Sequence, residues 1–588
     1  MSRQCFEIIE AGQNAVLLQF GNTIDEETNG RIRSFCALLS RTEECRSGLF
    51  EIVPAYCSVT VYFDPLVLPV REVTGRLTRA GEHCDEKAVV REPYLHRIPV
   101  CYESDFAPDM RNVAEHTHLT ADEIVKLHSG KPYLIYMLGF LPGFAYLGGM
   151  DKRLNTPRLK IPRTKIPAGS VAIGGEQTGI YPVDSPGGWQ IIGRTPVKVF
   201  DPDRNPQILF KAGDKIKFEP ITKKEFEQYE AETNFTQASV LPANGRRRPV
   251  QSGIKVISGG MMTTVQDAGR PGFQKDGVGV SGAMDRISYA AANMIAGNVP
   301  GTAVLETTLA GPELCFTLPA DFVITGAPVK ALLEGRAVPM NARIHAEEGS
   351  ILQTGFVSAG VRSYIAFTGG ILVPEILGSS STNSKCGLGG YYGRSLKEGD
   401  ELALGCIAQE FSGRPYADEA SLGKFSEENQ YSPAALLTRL STVRRCYDTP
   451  LQLRVLPGPQ KGMFPEDAVK TFCSSVFTVT ADSDRMGCRL SGPQLVCPGG
   501  TDIISDSVPA GAVQITSSGD PVIMTADRQT TGGYAKIAVV ISADMPFIAQ
   551  AAPGTKVTFA FVTQEEAAEA LRGQEMLLAM LDEVVTDL

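Results

Sequence analysis

The feature that most limits this chain is that it repeats itself. RLNTPRL (Arg153 to Leu159) returns 336 residues later as RLSGPQL (Arg489 to Leu495), and PAGSVAI from Pro167 returns 342 residues later as PAGAVQI from Pro509. DSPGGWQII from Asp184 is echoed by the slightly longer DRQTTGGYAKI from Asp527, and AGDKIKFEPITKKE (Ala212 to Glu225) by PGTKVTFAFVTQEE (Pro553 to Glu566). Blocks that keep one order and nearly one spacing mean one folded unit present twice. Pro167 should therefore superpose on Pro509, and Gly188 on Gly533.

Within each copy, apolar and polar residues alternate in short runs bounded by Gly, Pro or Asp, as in Lys215-Ile-Lys-Phe218. Period-two runs of that kind are half-buried strands, so the unit is an antiparallel β-barrel or sandwich. Each copy closes with Thr-x-x-Glu (Thr222 to Glu225, Thr563 to Glu566), the capping box that satisfies free amides at a helix start, so a helix follows each barrel. The segment LKEGDELALG (Leu396 to Gly405) carries the same Gly-Asp-x-apolar signal and predicts the closing strand of a third barrel that begins near Ile254.

At roughly 150 residues per domain, 588 residues imply about four compact units. The predicted fold is mainly β with α+β elements, several β-barrel domains plus a small N-terminal α/β domain. Residues 1–90 form that small domain, with a strand at AVLLQFG and a helix from Glu26 to Leu39 whose apolar face carries Ile32, Phe35 and Leu39. A barrel follows at 91–224, a polar, Pro- and Gly-containing linker at 225–252, and the first barrel of the second half at 253–408. A connector at 409–446 leads to the repeated barrel and a C-terminal helix at 447–588.

Lysine and arginine total 56 against 66 acidic residues, a net charge of −10, which excludes a nucleic-acid binder that works by displacing phosphate counterions. No run approaches the ~18 apolar residues of a membrane span, and MSRQCFEIIEAGQN lacks an apolar signal-peptide core. The expected compartment is the cytoplasm. The 13 cysteines never form C-x-x-C and read as reduced, mostly buried thiols.

Most catalytic templates fail. There is no G-x-x-x-x-G-K-[S/T], no H-E-x-x-H and no G-x-S-x-G. The loop Lys275-Asp-Gly-Val-Gly-Val-Ser-Gly282 contains G-x-G-x-x-G before a helix, but no apolar strand precedes it, which argues against a dinucleotide fold. An anion-accepting helix N-terminus near Arg270, Ser281 and Asp285, or a plain glycine turn, both fit. His116, His118 and His128 flank a helix capped by Thr120 and Glu123 and read as helix-end and surface residues, not metal ligands. No metal site is expected. The run Gly378-Ser-Ser-Ser-Thr-Asn-Ser-Lys385 has the residue types of a Ser–Lys amidase, or of a solvated turn.

What remains is polar residues in the glycine-rich repeat loops, where chemistry concentrates on a rigid scaffold. The first copy offers Arg163, Lys165, Gln177, Tyr181, Asp184 and the single tryptophan, Trp189. The second offers Ser483, Asp484, Arg485, Asp506, Asp527, Arg528, Gln529, Thr530 and Lys536. Asp-Arg-Gln-Thr-Thr-Gly-Gly brings an acceptor, a bidentate carboxylate or phosphate donor, an amide and hydroxyls into one turn. Asp527, Arg528, Gln529, Thr530 and Lys536 are the candidate catalytic group, with Asp484 and Arg485 facing them. Arg270, Ser281, Asp285, Gln177, Tyr181, Trp189 and Arg163 are candidates for substrate or nucleotide binding.

GFLPGFAYLGGMDKRLNTPR, PAGSVAIGGEQTGIYP and SPGGWQIIGRTP closely resemble the B component of bacterial ATP-dependent 5-oxoprolinase, also called allophanate hydrolase subunit 1 and related to the Kip kinase inhibitor. TTVQDAGRPGFQ, VSGAMDR, LETTLAGPEL, SDRMGCRLSGP and ADRQTTGGYAKIAVVISAD resemble its C component, the allophanate hydrolase subunit 2 type. The two resemblances span nearly the whole chain in B–C order. Both halves are also similar to the carboxyltransferase region of biotin-dependent urea carboxylase, whose modules are cyclophilin-like β-barrels, so the resemblance implies that fold.

The oxoprolinase resemblance implies ATP-driven opening of 5-oxoproline to glutamate with a separate A component, and little activity without it. The carboxyltransferase resemblance implies carboxyl transfer from carboxybiotin to urea or a related amide. No Met-Lys-Met biotin-attachment motif, biotin carboxylase segment or Gly/Ser-rich amidase core is present, which favours oxoprolinase. A Kip-like kinase inhibitor would not need the second half's dense polar loops, and neither barrel has the Arg/Phe/Gln/His grouping of active cyclophilins. ATP, with or without magnesium, is the implied cofactor, and no P-loop marks its site. The expected partners are a protein like the 5-oxoprolinase A component and a small amide, with no nucleic acid and no membrane; a homo-oligomer is compatible with the sequence.

Overall fold

The computed structural model describes residues 5–41, 47–82, 91–161, 163–239, 252–405, 433–443 and 450–586. The first domain is an antiparallel four-stranded sheet in the order Glu7–Glu10, Ala15–Gln19, Ser58–Phe63, Leu49–Pro54. The helices Glu26–Leu39 and Val70–Gly81 accompany it. Asp25 caps the first helix by accepting from the N–H of Thr28, and Ile32, Phe35 and Leu39 are buried among Phe6, Phe20, Val59, Val61 and Phe63.

Two closed seven-stranded barrels carry the repeat. In the first, the circular order is Leu95–Cys101, Gln190–Arg194, Ser170–Gly174, Gln177–Ile180, Ala145–Gly148, Tyr133–Leu138, Lys215–Ile221. In the last it is Leu451–Pro457, Lys536–Val540, Ala512–Ile515, Pro521–Met524, Gly487–Ser491, Phe477–Val479, Lys556–Phe561. The two orders are identical when corresponding strands are matched, and in each barrel one parallel pair, first strand with last, closes the ring. Pro167 and Pro509 start the same turn, accepting from the backbone N–H of Ser170 and Ala512 at 3.2 Å each. Ile191 pairs with Ala172, and Lys536, its counterpart, pairs with Gln514, so Gly188 and Gly533 occupy one position, as the repeat requires.

The third expected barrel is not closed. The region from Ser252 forms a seven-stranded and a five-stranded sheet, both open. The strand Glu401–Leu404 exists as the Gly-Asp signal requires, but it lies antiparallel to Ser252–Ser258, where its counterparts in the barrels lie parallel to the first strand. A turn signal specifies a strand start and not the strand's neighbours. The expected linker at 225–252 also differs: the helix that begins behind Thr222 runs Lys223–Ser239, and residues 240–251 lie outside the described residues. Of the expected connector at 409–446, residues 433–443 are described and include the helix Pro433–Leu440. The C-terminal helix Gln564–Thr586 buries Leu578, Leu581 and Val585 with Leu436 and the helix Arg286–Ala296. None of the described helices is long and apolar enough to cross a membrane.

Two local expectations change. Cys5 is disulfide-bonded, a bridge that leaves no spacing pattern in the sequence; Cys57, Cys101 and Cys488 are buried free thiols. His128 is fully buried, not at the surface, because it ends the capped helix Ala121–Ser129 on its inward side. Its ring stacks on Phe218, and its nitrogens meet the hydroxyls of Tyr102 at 2.8 Å and Thr178 at 2.7 Å. Thr178 gives its own proton to the carbonyl of Ala172, so Nε2 of His128 must be the donor in that contact.

Burial pushes the His128 imidazole down from 6.5 to about 3. A group with a depressed folded pKa resists protonation that the unfolded chain accepts, so its contribution is intact above pH 6.5 and is lost as pH falls from 6.5 towards 3. We expect unfolding resistance of the first barrel to drop by about 1.4 kcal/mol per pH unit across that window. Urea titrations at pH 7 and pH 5 should show a smaller difference for His128→Gln than for the natural chain; an unchanged difference would refute the assignment.

Candidate functional site

Each barrel has a two-stranded flap over one outer wall: Arg163–Ile166 with Ser185–Gly187 in the first, Asp502–Ser507 with Thr531–Tyr534 in the last. The walls under the flaps have diverged. In the first barrel the wall is apolar and aromatic, with Ala172, Ile191, Phe144, Tyr146, Tyr181 and Trp189 packed together and against Tyr56 of the first domain. In the last barrel the counterparts of Ala172 and Ile191 are Gln514 and Lys536, both buried. The fold therefore does not need charge at this place.

The polar anchors beside the two walls correspond one to one. Asp109 accepts from the backbone N–H of Ile191 at 2.7 Å and pairs with Arg163 at 2.6 Å. Gln460 accepts from the backbone N–H of Lys536 at 3.2 Å and donates to Asp506 at 2.9 Å, while Asp506 takes the ammonium of Lys536. Burial outweighs that ammonium and raises the Asp506 carboxyl above its ordinary range. A buried ion pair is costly to assemble and is weak evidence for stability. The sister barrel keeps an ion pair at the corresponding anchors, Asp109 with Arg163, but has isoleucine where the last barrel has Lys536, which makes Asp506 and Lys536 candidates for function.

The turn from Thr525 to Thr531 is where the four units meet. Asp527 binds Nε of Arg485 at 2.8 Å and its Nη2 at 3.1 Å; Arg485 also pairs with Glu306 and donates to the carbonyl of Gly282 at 2.7 Å. Burial opposes the charge on Arg485, but Asp527 and Glu306 outweigh it and raise its pKa further. Glu306 is buried yet held below its usual range by Arg485 and Arg362, and it accepts from the Tyr364 hydroxyl at 2.8 Å. Arg528 donates to the carbonyl of Val508 at 2.8 Å and to Gln274 at 3.0 Å, and Tyr62 of the first domain lies beside it. Burial lowers the pKa of Arg528, and no carboxylate of the described residues pairs with it. Thr531 packs on Gly139 and beside Tyr146 of the first barrel, and Ser281 donates its N–H to the carbonyl of Ala526.

The structure joins Arg485 to Asp527 and sets Arg528 and Thr530 on the same turn, while Lys536 belongs to a separate ion pair with Asp506; all are buried, and Gln529 is half-buried beside Gln514. The Thr530 hydroxyl has no partner among the described residues. Asp484 does not face the group: it turns outward to Lys385 at 2.8 Å and caps the turn at Met486 and Gly487, and Ser483 caps Arg489. Glu51, Tyr62, Gln274, Glu306 and Gln460 belong to the junction and escaped the sequence reading, although Gln274 sits inside the TTVQDAGRPGFQ motif.

The remaining candidates scatter. Arg163 serves Asp109, Lys165 pairs with Asp184 at the surface, and Gln177 is half-buried on the strand Gln177–Ile180. Tyr181 and Trp189 build the aromatic wall, with Arg158 6.0 Å above the indole. Arg270 is buried, donating to the carbonyls of Ser381 and Ile376 with Nη1 unpartnered among the described residues. Asp285 caps the helix Arg286–Ala296 at Ile287 and Ser288 and accepts from Thr442 and Gln550, so its own carboxylate fills the expected anion position.

The Lys275–Gly282 loop is a packing turn: Gly277 meets the backbone of Leu141, and Gly279 lies 3.3 Å, measured from an added Cβ, from the carbonyl of Arg528. Ser379, Ser380 and Ser381 are buried and hold Asp267, while Lys385 points to Asp484, so neither a Ser–Lys pair nor a solvated turn forms. A cavity of about 550 Å³ lies elsewhere, between Ile287, Ala291, Met340 and Leu437.

Known proteins resemble the chain in two blocks. A family described as the carboxyltransferase domain, subdomains A and B, matches residues 276–561, and subdomains C and D match residues 6–210. The chain is 39% identical over 243 residues to the B component of 5-oxoprolinase from Bacillus subtilis, covering 39% of this chain and 98% of that protein. It is 34% identical over 328 residues to the C component of 5-oxoprolinase from Escherichia coli, covering 56% of this chain and 97% of that protein. The crystal structure of TTHA0988 superposes with a TM-score of 0.74 at 31% identity, covering 93% of this chain and 99% of that one.

Proposed function

Because this chain belongs to the carboxyltransferase-domain family of 5-oxoprolinase B and C components, joined in that order, we propose that it is the B–C component of an ATP-dependent 5-oxoprolinase. The observation that carries this reading is that one chain spans nearly the full length of both components. The reaction is hydrolysis of a lactam: water adds to the ring carbonyl carbon, the C–N bond breaks, and the nitrogen leaves as the amine of glutamate.

We assign the chemistry to the junction around Asp527 and to the neighbouring Asp506–Lys536 pair. Arg528, buried and without a carboxylate partner among the described residues, is suited to the substrate's carboxylate, for which arginine offers paired donors. Gln529 and Thr530 are the donors for negative charge developing on the carbonyl oxygen. Lys536, held by Asp506 and Gln460, is placed to give a proton to the departing nitrogen. Arg528, Thr530 and Lys536 are buried, and Tyr62 of the first domain lies beside Arg528.

ATP finds no cradle at the helix that follows the glycine loop, since the carboxylate of Asp285 occupies those amides. We therefore route no step of this chain through nucleotide and assign its use to the separate A component. Glutamate release from 5-oxoproline and ATP should require both this chain and a homologue of that component. Full activity from the chain alone would remove the partner, and carboxyl transfer from a biotinylated carrier to urea would replace the reading.

A further inference from the structure

Glu51 is a buried carboxylate on the strand Leu49–Pro54 of the first domain, and none of the described lysines or arginines pairs with it. Its oxygens accept from the backbone N–H of Gly272 at 3.2 Å and of Lys275 at 3.0 Å, and from Nε2 of Gln274 at 3.0 Å. Gln274, buried as well, accepts from Nη2 of Arg528 through Oε1 at 3.0 Å. The amide is thus interposed between a carboxylate and a guanidinium. Its orientation is fixed, because the flipped amide would set oxygen against the carboxylate and NH₂ against the guanidinium.

Two contacts would suffice if Glu51 only tied the loop to the first domain, and the backbone of Gly272 and Lys275 provides them. The third contact reaches Arg528. Direct pairing of Glu51 with Arg528 would hold the guanidinium equally well but would spend its charge and its paired donors on the protein. An intervening amide fixes the guanidinium while leaving it free of a contacting carboxylate, which is what reception of an incoming anion requires. Arg528 is further held by the carbonyls of Val508 and Thr525.

We infer that Glu51 is a positioning residue of the site: through Gln274 it fixes Arg528 to receive a substrate carboxylate, so the B-like half of the chain completes a site whose reacting groups lie in the C-like half. This rests on the oxoprolinase reading above.

The test is a double-mutant cycle in the reconstituted glutamate-release assay with Glu51→Gln and Arg528→Lys. Glu51→Gln should raise the KM for 5-oxoproline about tenfold with little change in kcat, and should have a much smaller effect when Arg528→Lys is already present. The charge-balanced exchange Glu51→Gln with Gln274→Glu, which sets a carboxylate directly on Arg528 without opposing it to a second one, should also raise KM while melting near the natural chain. Independent, multiplicative effects of Glu51→Gln and Arg528→Lys, or a Glu51→Gln effect confined to melting temperature, would overturn the inference while the natural chain's activity upheld the reading. An inactive natural chain in the presence of the A component would overturn both.

Discussion

Arg528→Lys should cut kcat/KM for 5-oxoproline in the reconstituted enzyme by about 10²–10³ without unfolding the last barrel, because an ammonium offers the substrate's carboxylate a single point where the guanidinium offers a fixed pair of donors. The guanidinium is anchored on Val508 and Gln274 through two different nitrogens, and a lysine ammonium cannot reach both from one point. The charge survives the substitution, so a loss of activity would report geometry and not net electrostatics. Circular dichroism and melting should stay near those of the natural chain. Near-natural turnover with reduced melting temperature would make Arg528 a loop staple and move the site towards Arg270 and Ser281.

Arg485→Ala should be the most destabilising of the single changes considered, by about 3–5 kcal/mol. The side chain joins Asp527 of the last barrel to Glu306 of the open-sheet domain, with all three buried. Removing it leaves two carboxylates in a dry setting without their shared cation. Urea unfolding would show the loss, and replacing Arg71, which pairs with Glu565 in the open, should leave the midpoint unchanged. Equal effects for the two changes would mean that the Arg485 network is solvated in solution.

The barrels were legible because their determinants are local: Gly and Pro turns set where strands begin, and period-two runs set which face is covered. Asp527 and Arg485 were expected to face each other and do, since both lie on turns at one end of the same barrel. Asp484, adjacent to Arg485, turns the other way, because its carboxylate is held by the amides of Met486 and Gly487 in its own turn and by Lys385.

The residues that the sequence did not reveal are those whose partners are far along the chain: Arg485 and Glu306 are 179 residues apart, Gln274 and Glu51 223, and Arg528 and Gln274 254. Nothing in the local pattern around Glu51 distinguishes it from a surface glutamate.

The sequence by itself determined the strand-rich class and the capped helices, which follow from local runs, and the duplication, which follows from the order of matching blocks, while its motifs carried the family resemblance. Tertiary structure alone decided three things. The Gly-Asp strand of the middle domain pairs antiparallel, and its sheets stay open. The aromatic wall of one barrel and the ionic wall of the other occupy the same position of one fold. The first domain's Glu51 reaches Arg528 through Gln274. Each depends on which surfaces meet when separately specified units pack, and that choice is made by the burial of whole faces and the pairing of charges across them, not by any short run of residues.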